Sequence, residues 1–464
     1  MRSATKRWAR TTKWLALAAG ALLFSPAAHA QISGTKTVCK SGCDYSSIGA
    51  AVSDLKSKGV NGKTTIEIAT GVYNESVSIG SISGVSATNT VTFKGMGSVP
   101  TATRVHYSGG YVMELNNANY LTIDNLYLHQ TSQGGANFAL DVYNSKNSIV
   151  KNCYIWAPLG YYWGTTALRA GANTDVTYEK NYIRGGGYFI VDEGYSRGGN
   201  TRSIYKGNTI TQGYYYSFYT NYNNGNLYTE NYIDSFQQTY GYGIYNYGDM
   251  ASKWTRNFFG DNGAYYGVGN VYVMANDVFE FTNNMVLVGS GAYCGIYLYP
   301  YAANANSKIY HNTFHANSSA SYLVYIYNYY GGGVDFRNNN LTRSNAGTTL
   351  YYYGSNKNDR FEGNNYYRTG TGTLLYMDAN YSTLAAYKSA NAARNLGQTD
   401  QSMAVTYKGT RDLHVDQNSL TPYAKNIGVN TDYDNDARCK FFVTSGADES
   451  TYTGNPHYQK PSKP

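Results

Sequence analysis

The stretch that decides the fold reads Tyr178-Glu-Lys-Asn181-Tyr-Ile183, and a second copy, Tyr205-Lys-Gly-Asn208-Thr-Ile210, follows 27 residues later. Both copies share the pattern hydrophobic-x-x-Asn-x-hydrophobic. The pattern recurs around further asparagines at intervals of 23 to 29 residues, although it is looser in the first two copies. The other copies centre on Asn125, Asn152, Asn231, Asn257, Asn284, Asn312, Asn339 and Asn364. A repeat of this length is typical of a solenoid, in which each copy forms one coil.

The spacing inside the pattern predicts how each coil bends. Its two hydrophobic positions lie five residues apart, so they would point to opposite faces of an unbroken strand. They can share one core only if the chain bends between them, and asparagine tolerates the left-handed conformation that such a bend requires. We therefore expect an all-β, single-stranded right-handed parallel β-helix with coils of about 27 residues. Equivalent asparagines would then lie ~4.8 Å apart and form a hydrogen-bonded ladder.

The composition agrees with an all-β chain. Among 464 residues there are 52 Tyr and 50 Gly but only 8 Pro, and 14% of the residues are charged. Tyrosine favours strands, whereas glycine and asparagine favour turns. Helical spacing is present in residues 45–59, which we expect to form an N-terminal cap helix, and in residues 381–395, which we expect to form a short helical insertion.

The first 30 residues have the features of a signal peptide. Residues 1–14 carry five cations and no acid, residues 15–24 are apolar, and Ala28-His29-Ala30 is a small-x-small cleavage site. We expect a secreted protein, extracellular or periplasmic, that does not span a membrane. Removing the signal lowers the formal charge from +8 to +3, which argues against nucleic acid as a partner. The β-helix would occupy residues 31–440, and residues 441–464 would form a closing segment and a polar tail.

The cysteines leave two interpretations open. Five follow the signal peptide, and an odd number leaves at least one unpaired. Cys39 and Cys43 could close a small loop through a disulfide, or all of the cysteines could be buried as small hydrophobic residues. The other three are Cys153, Cys294 and Cys439.

Two segments resemble the pectin-lyase-like β-helix superfamily. The first reads Asp44-Tyr-Ser-Ser-Ile48-Gly-Ala-Ala-Val52. The second, Asp432-Tyr-Asp434-Asn-Asp436-Ala-Arg438, is similar to the closing segment of large secreted bacterial β-helix proteins. The resemblance implies the fold and export, and the enzymes of the superfamily act mostly on acidic polysaccharides. Complete signatures of polygalacturonases, pectin methylesterases and alginate epimerases are absent from this chain, and a fold alone does not determine a function.

The densest charged neighbourhood contains the candidate catalytic residues Lys180, Asp192, Glu193 and Arg197. If the protein is an enzyme, we expect a polysaccharide lyase or a glycosidase. In a lyase, Lys180 or Arg197 would act as the base, and Asp192 or Glu193 would bind Ca²⁺ or act as an acid. The paired carboxylates would also suit an inverting glycosidase. Ordinary charge pairs on exposed strands would give the same pattern without catalysis.

Calcium is the one cofactor that the sequence brings into consideration. Asp432, Asp434 and Asp436 resemble the start of a Ca²⁺-binding loop, but the glycine and glutamate that an EF-hand needs at later positions are absent. These carboxylates form either a looser Ca²⁺ site or, together with Arg438, a cap on the solenoid. We assign no metal ligand from the sequence.

Tyrosines concentrate in a further strand of each coil. In segments such as Ile244-Tyr-Asn-Tyr247 they alternate with aliphatic residues, so inward aliphatic side chains would place tyrosines outside. Aromatic rings stack on the apolar faces of sugars while their hydroxyls bond to sugar hydroxyls, so this row is a candidate substrate-binding strip. The tyrosines could also serve only to stabilise the sheet. The expected row consists of Tyr219, Tyr245, Tyr297, Tyr325 and Tyr351.

Two classes of function follow from these observations. The first is an extracellular carbohydrate-associated β-helix that binds a polysaccharide or a cell-surface glycan along the tyrosine row, with or without cleaving it. The second is a non-catalytic cell-surface, matrix or adhesion protein in which the solenoid is a stiff spacer. The absence of any complete catalytic signature favours binding over catalysis.

Overall fold

The computed structural model describes residues 30–450 except 161–163, 194–197, 237–240, 261–264, 318, 355 and 357. In this part the chain winds repeatedly through three long sheets. Sheet 1 consists of Ile32–Val38, Val60–Ile68, Val91–Gly95, Leu121–Asp124, Ile149–Lys151, Thr177–Glu179, Ile204–Lys206, Leu227–Thr229, Lys253–Thr255, Val278–Thr282, Asn306–Tyr310, Gly333–Arg337 and Arg360–Glu362. Sheet 2 consists of Gly71–Asn74, Thr103–Tyr107, Tyr127–Gln130, Tyr154–Ala157, Tyr182–Gly185, Thr209–Gly213, Tyr232–Phe236, Phe258–Phe259, Met285–Leu287, Thr313–Ala316, Asn340–Arg343 and Asn365–Arg368. Sheet 3 consists of Val77–Ile79, Tyr111–Asn116, Asn137–Tyr143, Thr165–Gly171, Tyr188–Glu193, Tyr216–Asn221, Tyr242–Tyr247, Tyr266–Val273, Cys294–Pro300, Tyr322–Tyr327, Thr348–Tyr353, Leu375–Met377 and Asn380–Tyr381.

Strands of successive coils pair in parallel, and the sequence repeat coincides with the coil. Tyr178 pairs with Tyr205, and Tyr205 pairs with Tyr228. The last pair of sheet 3, Leu375–Met377 with Asn380–Tyr381, is antiparallel. The predicted all-β, single-stranded right-handed parallel β-helix is thus confirmed.

The predicted asparagine ladder lies inside the solenoid, at the bend between sheets 1 and 2. From Asn181 to Asn364, each ladder N–H donates to the side-chain oxygen of the next ladder asparagine at 2.9–3.0 Å. Each side-chain amide also donates to a backbone carbonyl, as Asn208 does to Tyr178 at 2.9 Å. The carboxylate of Asp400 accepts the N–H of Asn364 at 2.9 Å and ends the ladder. The ladder therefore satisfies backbone groups that the bend would otherwise leave buried and unpaired.

The bend itself lies one residue before the ladder asparagine. Lys180, with φ of 52°, has the left-handed conformation, and so do Asn125 and Asn152, with φ of 57° and 53°. Our expectation that the ladder asparagines adopt this conformation was wrong, and the two earliest copies were placed one residue too early. Leu126 and Cys153 occupy the ladder position in those two coils, as the pairing of their strands shows. The ladder side chain must point inwards to reach buried backbone groups, so the bend falls on its neighbour.

Columns of side chains fill the interior. Tyr178, Tyr205, Tyr228 and Trp254 stack along the axis with ring-centroid distances of 4.7, 5.0 and 3.8 Å. All four are fully buried, and Phe218 from sheet 3 packs edge-on against them. Many tyrosines of this chain thus belong to the core rather than to the surface.

Two helices and a folded-back segment complete the structure. Helix α1 spans Ile48–Lys58, is capped at its N-terminus by Ser47, and buries its apolar side against the first coils. Helix α2 spans Leu384–Ala390, within the expected insertion, and is followed by a 3-10 turn, Ala392–Arg394. Residues 407–450 then return along the solenoid, and from here on we call these residues the closing segment. It contains the antiparallel pairs Tyr407–Gly409 with Asp412–Val415 and Tyr423–Lys425 with Phe442–Thr444.

The closing segment covers the C-terminal half of sheet 2. Leu413 and Ala447 pack against Phe258, Met285 and Leu287 in a separate apolar cluster. Because the cover begins near Phe258, the N-terminal half of sheet 2 stays open.

Buried Arg438 fixes the closing segment in place. Its guanidinium donates to Asn283 at 2.9 Å and forms an ion pair with Glu449 at 2.8 Å. The side chain of Arg438 is completely buried. Arg438 therefore joins a corner of the solenoid to the end of the described chain.

The structure also shows how the cysteines are paired and whether a described helix could cross a membrane. Cys39 and Cys43 form a disulfide, Cys153 and Cys294 are buried free thiols, and Cys439 is also buried. Within the described residues, no helix has the length and apolar character needed to cross a membrane.

Candidate functional site

The outer surface of sheet 3 carries three columns of tyrosines, which we call the tyrosine face. It extends from strand Tyr216–Asn221 to strand Leu375–Met377. The central column consists of Tyr219, Tyr245, Asn270, Tyr297, Tyr325, Tyr351 and Tyr376. One side column contains Tyr216, Tyr242, Tyr266 and Tyr322, and the other contains Tyr247, Tyr272, Tyr299, Tyr327 and Tyr353. No charged residue occupies these columns, so the face is aromatic and uncharged.

Ring stacking within the columns determines what the face presents to solvent. In the central column the ring centroids of Tyr297 and Tyr325 are 5.0 Å apart with an interplanar angle of 9°, and those of Tyr325 and Tyr351 are 4.5 Å apart. Tyr219 and Tyr245 stack in the same way at 5.2 Å. Stacked rings cover one another's faces, so mainly their edges and hydroxyls meet the solvent. The face is thus a regular array of phenol groups.

The exposed rim of the face is different. Next to the second side column, Tyr329 is 62% exposed, and Tyr301, Tyr330 and Tyr353 are 39–43% exposed. Tyr301 and Tyr330 pack at 5.1 Å with an interplanar angle of 53°. Because these rings are more exposed and less parallel, their faces are more accessible than those of the central column.

Burial and neighbouring hydroxyls affect several phenols of the central column. The hydroxyl of Tyr325 hydrogen-bonds to those of Tyr293 and Tyr351. Burial, followed by the neighbouring phenols, raises the pKa of Tyr245, Tyr297 and Tyr351 to about 12. These three hydroxyls therefore act as neutral donors and acceptors across the physiological pH range.

The sequence located the central column but missed the two others. Tyr219, Tyr245, Tyr297, Tyr325 and Tyr351 lie in one outward column, which Asn270 interrupts. One side column lies three residues before the central one, an odd spacing that strict alternation does not predict. The other lies two residues after it, and the alternation in Tyr245-Asn-Tyr247 was a signal that could have revealed it.

A depression of about 290 Å³ lies at the N-terminal end of the tyrosine face. Small residues such as Gly164 replace tyrosines there, and Tyr188 and Tyr219 form one wall. Arg169 lies over the Phe138 ring at 3.7 Å and pairs with Asp141 at 2.6 Å. The ion pair fixes the guanidinium at the floor of the depression.

Two of the four proposed catalytic residues, Lys180 and Asp192, lie in different parts of the coil. Lys180 is exposed at the corner between sheets 1 and 2, whereas Asp192 is completely buried on the inner side of sheet 3. Glu193 is the last residue of strand Tyr188–Glu193, and Arg197 lies outside the described residues. Pairing of Asp192 with Thr220 places it in the inward column, one residue after the outward position. Strand alternation could have shown this from the sequence.

Inside the solenoid, Asp192 belongs to a polar cluster. Its carboxylate accepts hydrogen bonds from Tyr228 at 2.8 Å, from Asn226 at 3.0 Å and from Asn200. Burial raises the pKa of Asp192 and of the neighbouring Asp249 above that of an ordinary carboxyl group. With three donors and no path to solvent, Asp192 has a structural role in this geometry.

Two of the carboxylates considered as Ca²⁺ ligands, those of Asp432 and Asp434, contact groups of the protein itself. Asp432 is buried, and its oxygens accept the backbone N–H groups of Asp434, Asp436 and Glu449 at 2.8–3.1 Å. Asp434 instead contacts His414 at 3.1 Å. Among the described residues, no three His, Cys, Asp or Glu side chains group in a way that could hold a metal ion.

Comparisons with known proteins found similarity only to solved structures, at low sequence identity. No family model and no curated protein matches the sequence. An alginate lyase from Paenibacillus sp. str. FPU-7 is 14% identical, with a TM-score of 0.38, over 74% of this chain and 99% of that one. A pectin methylesterase from Aspergillus niger is 14% identical, with a TM-score of 0.35, over 63% of this chain and 88% of that one. The Dettilon tailspike protein is 11% identical, with a TM-score of 0.42, over 69% of this chain and 63% of that one.

Proposed function

We propose that the protein is a secreted carbohydrate-binding β-helix that holds a polysaccharide chain along the tyrosine face. The observation that carries the proposal is the array of three phenol columns on one uncharged sheet surface. Along the central column the stacked rings follow one another at 4.3–5.2 Å. A linear glycan lying along the axis would meet a new set of hydroxyls with every coil. The signal-like first 30 residues are consistent with an extracellular location.

The chemistry of the face favours a glycan with few charges. Neutral phenols donate to and accept from sugar hydroxyls, and no cation is present on the face to attract a uronate. Because the central rings stack on each other, sugar rings would stack mainly at the exposed rim near Tyr329. Binding would then depend on hydroxyl groups more than on ring faces, and it would change little with salt.

Binding without turnover is the form of the proposal that the geometry supports best. Cleavage by a lyase or an inverting glycosidase needs an acid and a base on the same exposed surface. Asp192 is enclosed by its three hydrogen-bond donors, and Asp141 is paired with Arg169. The depression beside Tyr188 has no unpaired carboxylate among the described residues that line it.

The test combines binding and turnover measurements on a panel of neutral and acidic polysaccharides. We expect Tyr297→Phe/Tyr325→Phe/Tyr351→Phe to keep the ring stack but to weaken binding about tenfold or more, since each lost hydroxyl removes ~1 kcal/mol. Reducing ends and unsaturated uronates are measured in parallel.

A matched control removes the same number of hydroxyls away from the face. Tyr107→Phe/Tyr120→Phe/Tyr367→Phe should bind like the wild type. Equal binding by the face variant and the wild type would contradict the proposal. Self-association or surface attachment with no glycan binding would instead select the adhesion or matrix protein.

A further inference from the structure

A second surface, on the open half of sheet 2, carries positive charge, whereas the tyrosine face is uncharged. Its outward residues form two columns. Arg104, Tyr127, Tyr154 and Tyr182 are paired in register in one column, and His106, His129, Trp156 and Arg184 are paired in the other. We call this surface the cationic patch. Strand alternation with the coil period places all eight residues outside, so the pattern was already present in the sequence.

Aromatic rings connect the cations of the patch. Tyr127 and Tyr154 stack at 4.6 Å, and His129 lies against Trp156 at 3.9 Å. The guanidinium of Arg104 lies over the Tyr127 ring at 5.6 Å. The patch is therefore a ring platform with a guanidinium at each end.

Neither guanidinium has a hydrogen-bond or ion-pair partner among the described residues. The Nε atoms of Arg104 and Arg184 and the Nδ1 atom of His129 are buried without a hydrogen bond. Several other arginines are paired with acids, for example Arg169 with Asp141 and Arg256 with Glu230. Half-buried cations without a counter-charge are costly, and an arriving anion would remove that cost.

The surroundings of the two arginines contribute no free negative charge among the described residues, and His129 contributes no positive one. On sheet 2, none of the outward described residues from Val72 to Thr211 is an acid. Burial, then Arg104, then His106 lower the pKa of His129 to about 4. The first outward acid, Asp234, is already paired with Arg411 of the closing segment.

We propose that the cationic patch is a second binding site, which takes the carboxylate, sulfate or phosphate groups of an extended anionic glycan. Arg104 and Arg184 lie three strand steps apart, which corresponds to ~14 Å at ~4.8 Å per step. One anionic group binds each guanidinium through paired hydrogen bonds, and the sugar rings lie on Trp156 between them and on Tyr182 beside Arg184. The site is independent of the tyrosine face, which is on another sheet and carries no charge.

The test uses one polymer backbone with different charges. Dextran, carboxymethyl dextran and dextran sulfate are titrated into the full-length protein at low and high salt. We expect the charged polymers to bind about tenfold more tightly than dextran at low salt, with the difference reduced at high salt. Arg104→Gln/Arg184→Gln should abolish this preference, and Arg104→Lys/Arg184→Lys should keep only part of it, because lysine lacks the paired donors.

Two controls distinguish a specific binding site from nonspecific electrostatic attraction. Arg360→Gln/Lys408→Gln removes the same charge from exposed positions elsewhere and should bind like the wild type. Trp156→Ala should weaken dextran sulfate binding but leave inorganic sulfate unchanged.

The outcomes are distinguishable. A preference for carboxymethyl dextran or for dextran sulfate alone identifies the group that is recognised and supports the site. Wild-type binding by Arg104→Gln/Arg184→Gln overturns the proposal, as does complete displacement of dextran sulfate by single-stranded poly-dT. Neither result bears on the tyrosine face, whose neutral ligands are tested separately.

Discussion

Replacing Asn257 by alanine tests whether the buried ladder holds the coils together. The side chain of Asn257 accepts the N–H of Asn231 at 3.0 Å and donates to the carbonyl of Tyr228 at 3.0 Å. Alanine leaves both buried backbone groups without a partner, at a cost of ~1–3 kcal/mol each. The neighbouring ladder amides keep their other partners, so we expect the free energy of unfolding to fall by ~2–6 kcal/mol in total. Urea unfolding followed by tryptophan fluorescence measures the change.

An exposed asparagine provides the control for this prediction. Asn304 donates to Asn276 at 2.7 Å on the surface, so Asn304→Ala should change the free energy of unfolding by less than ~0.5 kcal/mol. If Asn257→Ala unfolds at the same urea concentration as Asn304→Ala, the ladder is not a source of stability and the reasoning is wrong. Unfolding in separate steps would show instead that blocks of coils melt independently, as in other repeat proteins.

Two further predictions concern buried charges. Arg438→Ala would leave the carboxylate of Glu449 buried without its ion-pair partner, so we expect the free energy of unfolding to fall by ~3–5 kcal/mol. Proteases should then cleave early in residues 407–450 and leave the coils intact. Cleavage at the wild-type rate would refute this prediction. Burial and the neighbouring Asp192 raise the pKa of Asp249 to about 7, so its contribution to stability is complete below pH ~4 and is lost as the pH rises through ~7. In urea titrations, the free energy of unfolding of Asp249→Asn should therefore rise relative to that of the wild type as the pH increases from 5 to ~8. A constant difference between the two proteins across that range would contradict the raised pKa of Asp249.

The sequence predicts the coil period and the ladder well because both depend on one residue type at a regular spacing. The exact bend is harder to predict, since Lys180, Glu230 and Arg256 all adopt the left-handed conformation. None of these residues marks such a position by its intrinsic preference. The stacked coils and the buried amide beside each of them impose the conformation, and these are tertiary effects.

The candidate sites show a similar division. Alternation identified the central tyrosine column, because its inward neighbours are aliphatic. Asp192 was misjudged because a charged residue was taken to be exposed, although its strand register places it inside with Tyr228 and Asn226 as partners. Alternation also places the residues of the cationic patch outside, but which half of sheet 2 stays open depends on where the closing segment packs.

The coil-by-coil construction has a consequence for how this molecule could change in length. Each coil from Asn181 onwards contributes one rung to the asparagine ladder, and each coil from Tyr216 onwards contributes one row to the tyrosine face. The main contacts of a coil are with the coils directly before and after it. Duplicating or deleting a unit of about 27 residues would therefore leave the remaining rows in register. Since a longer array engages a polymer at more points simultaneously, the avidity for long chains would scale with the number of coils rather than with any single contact.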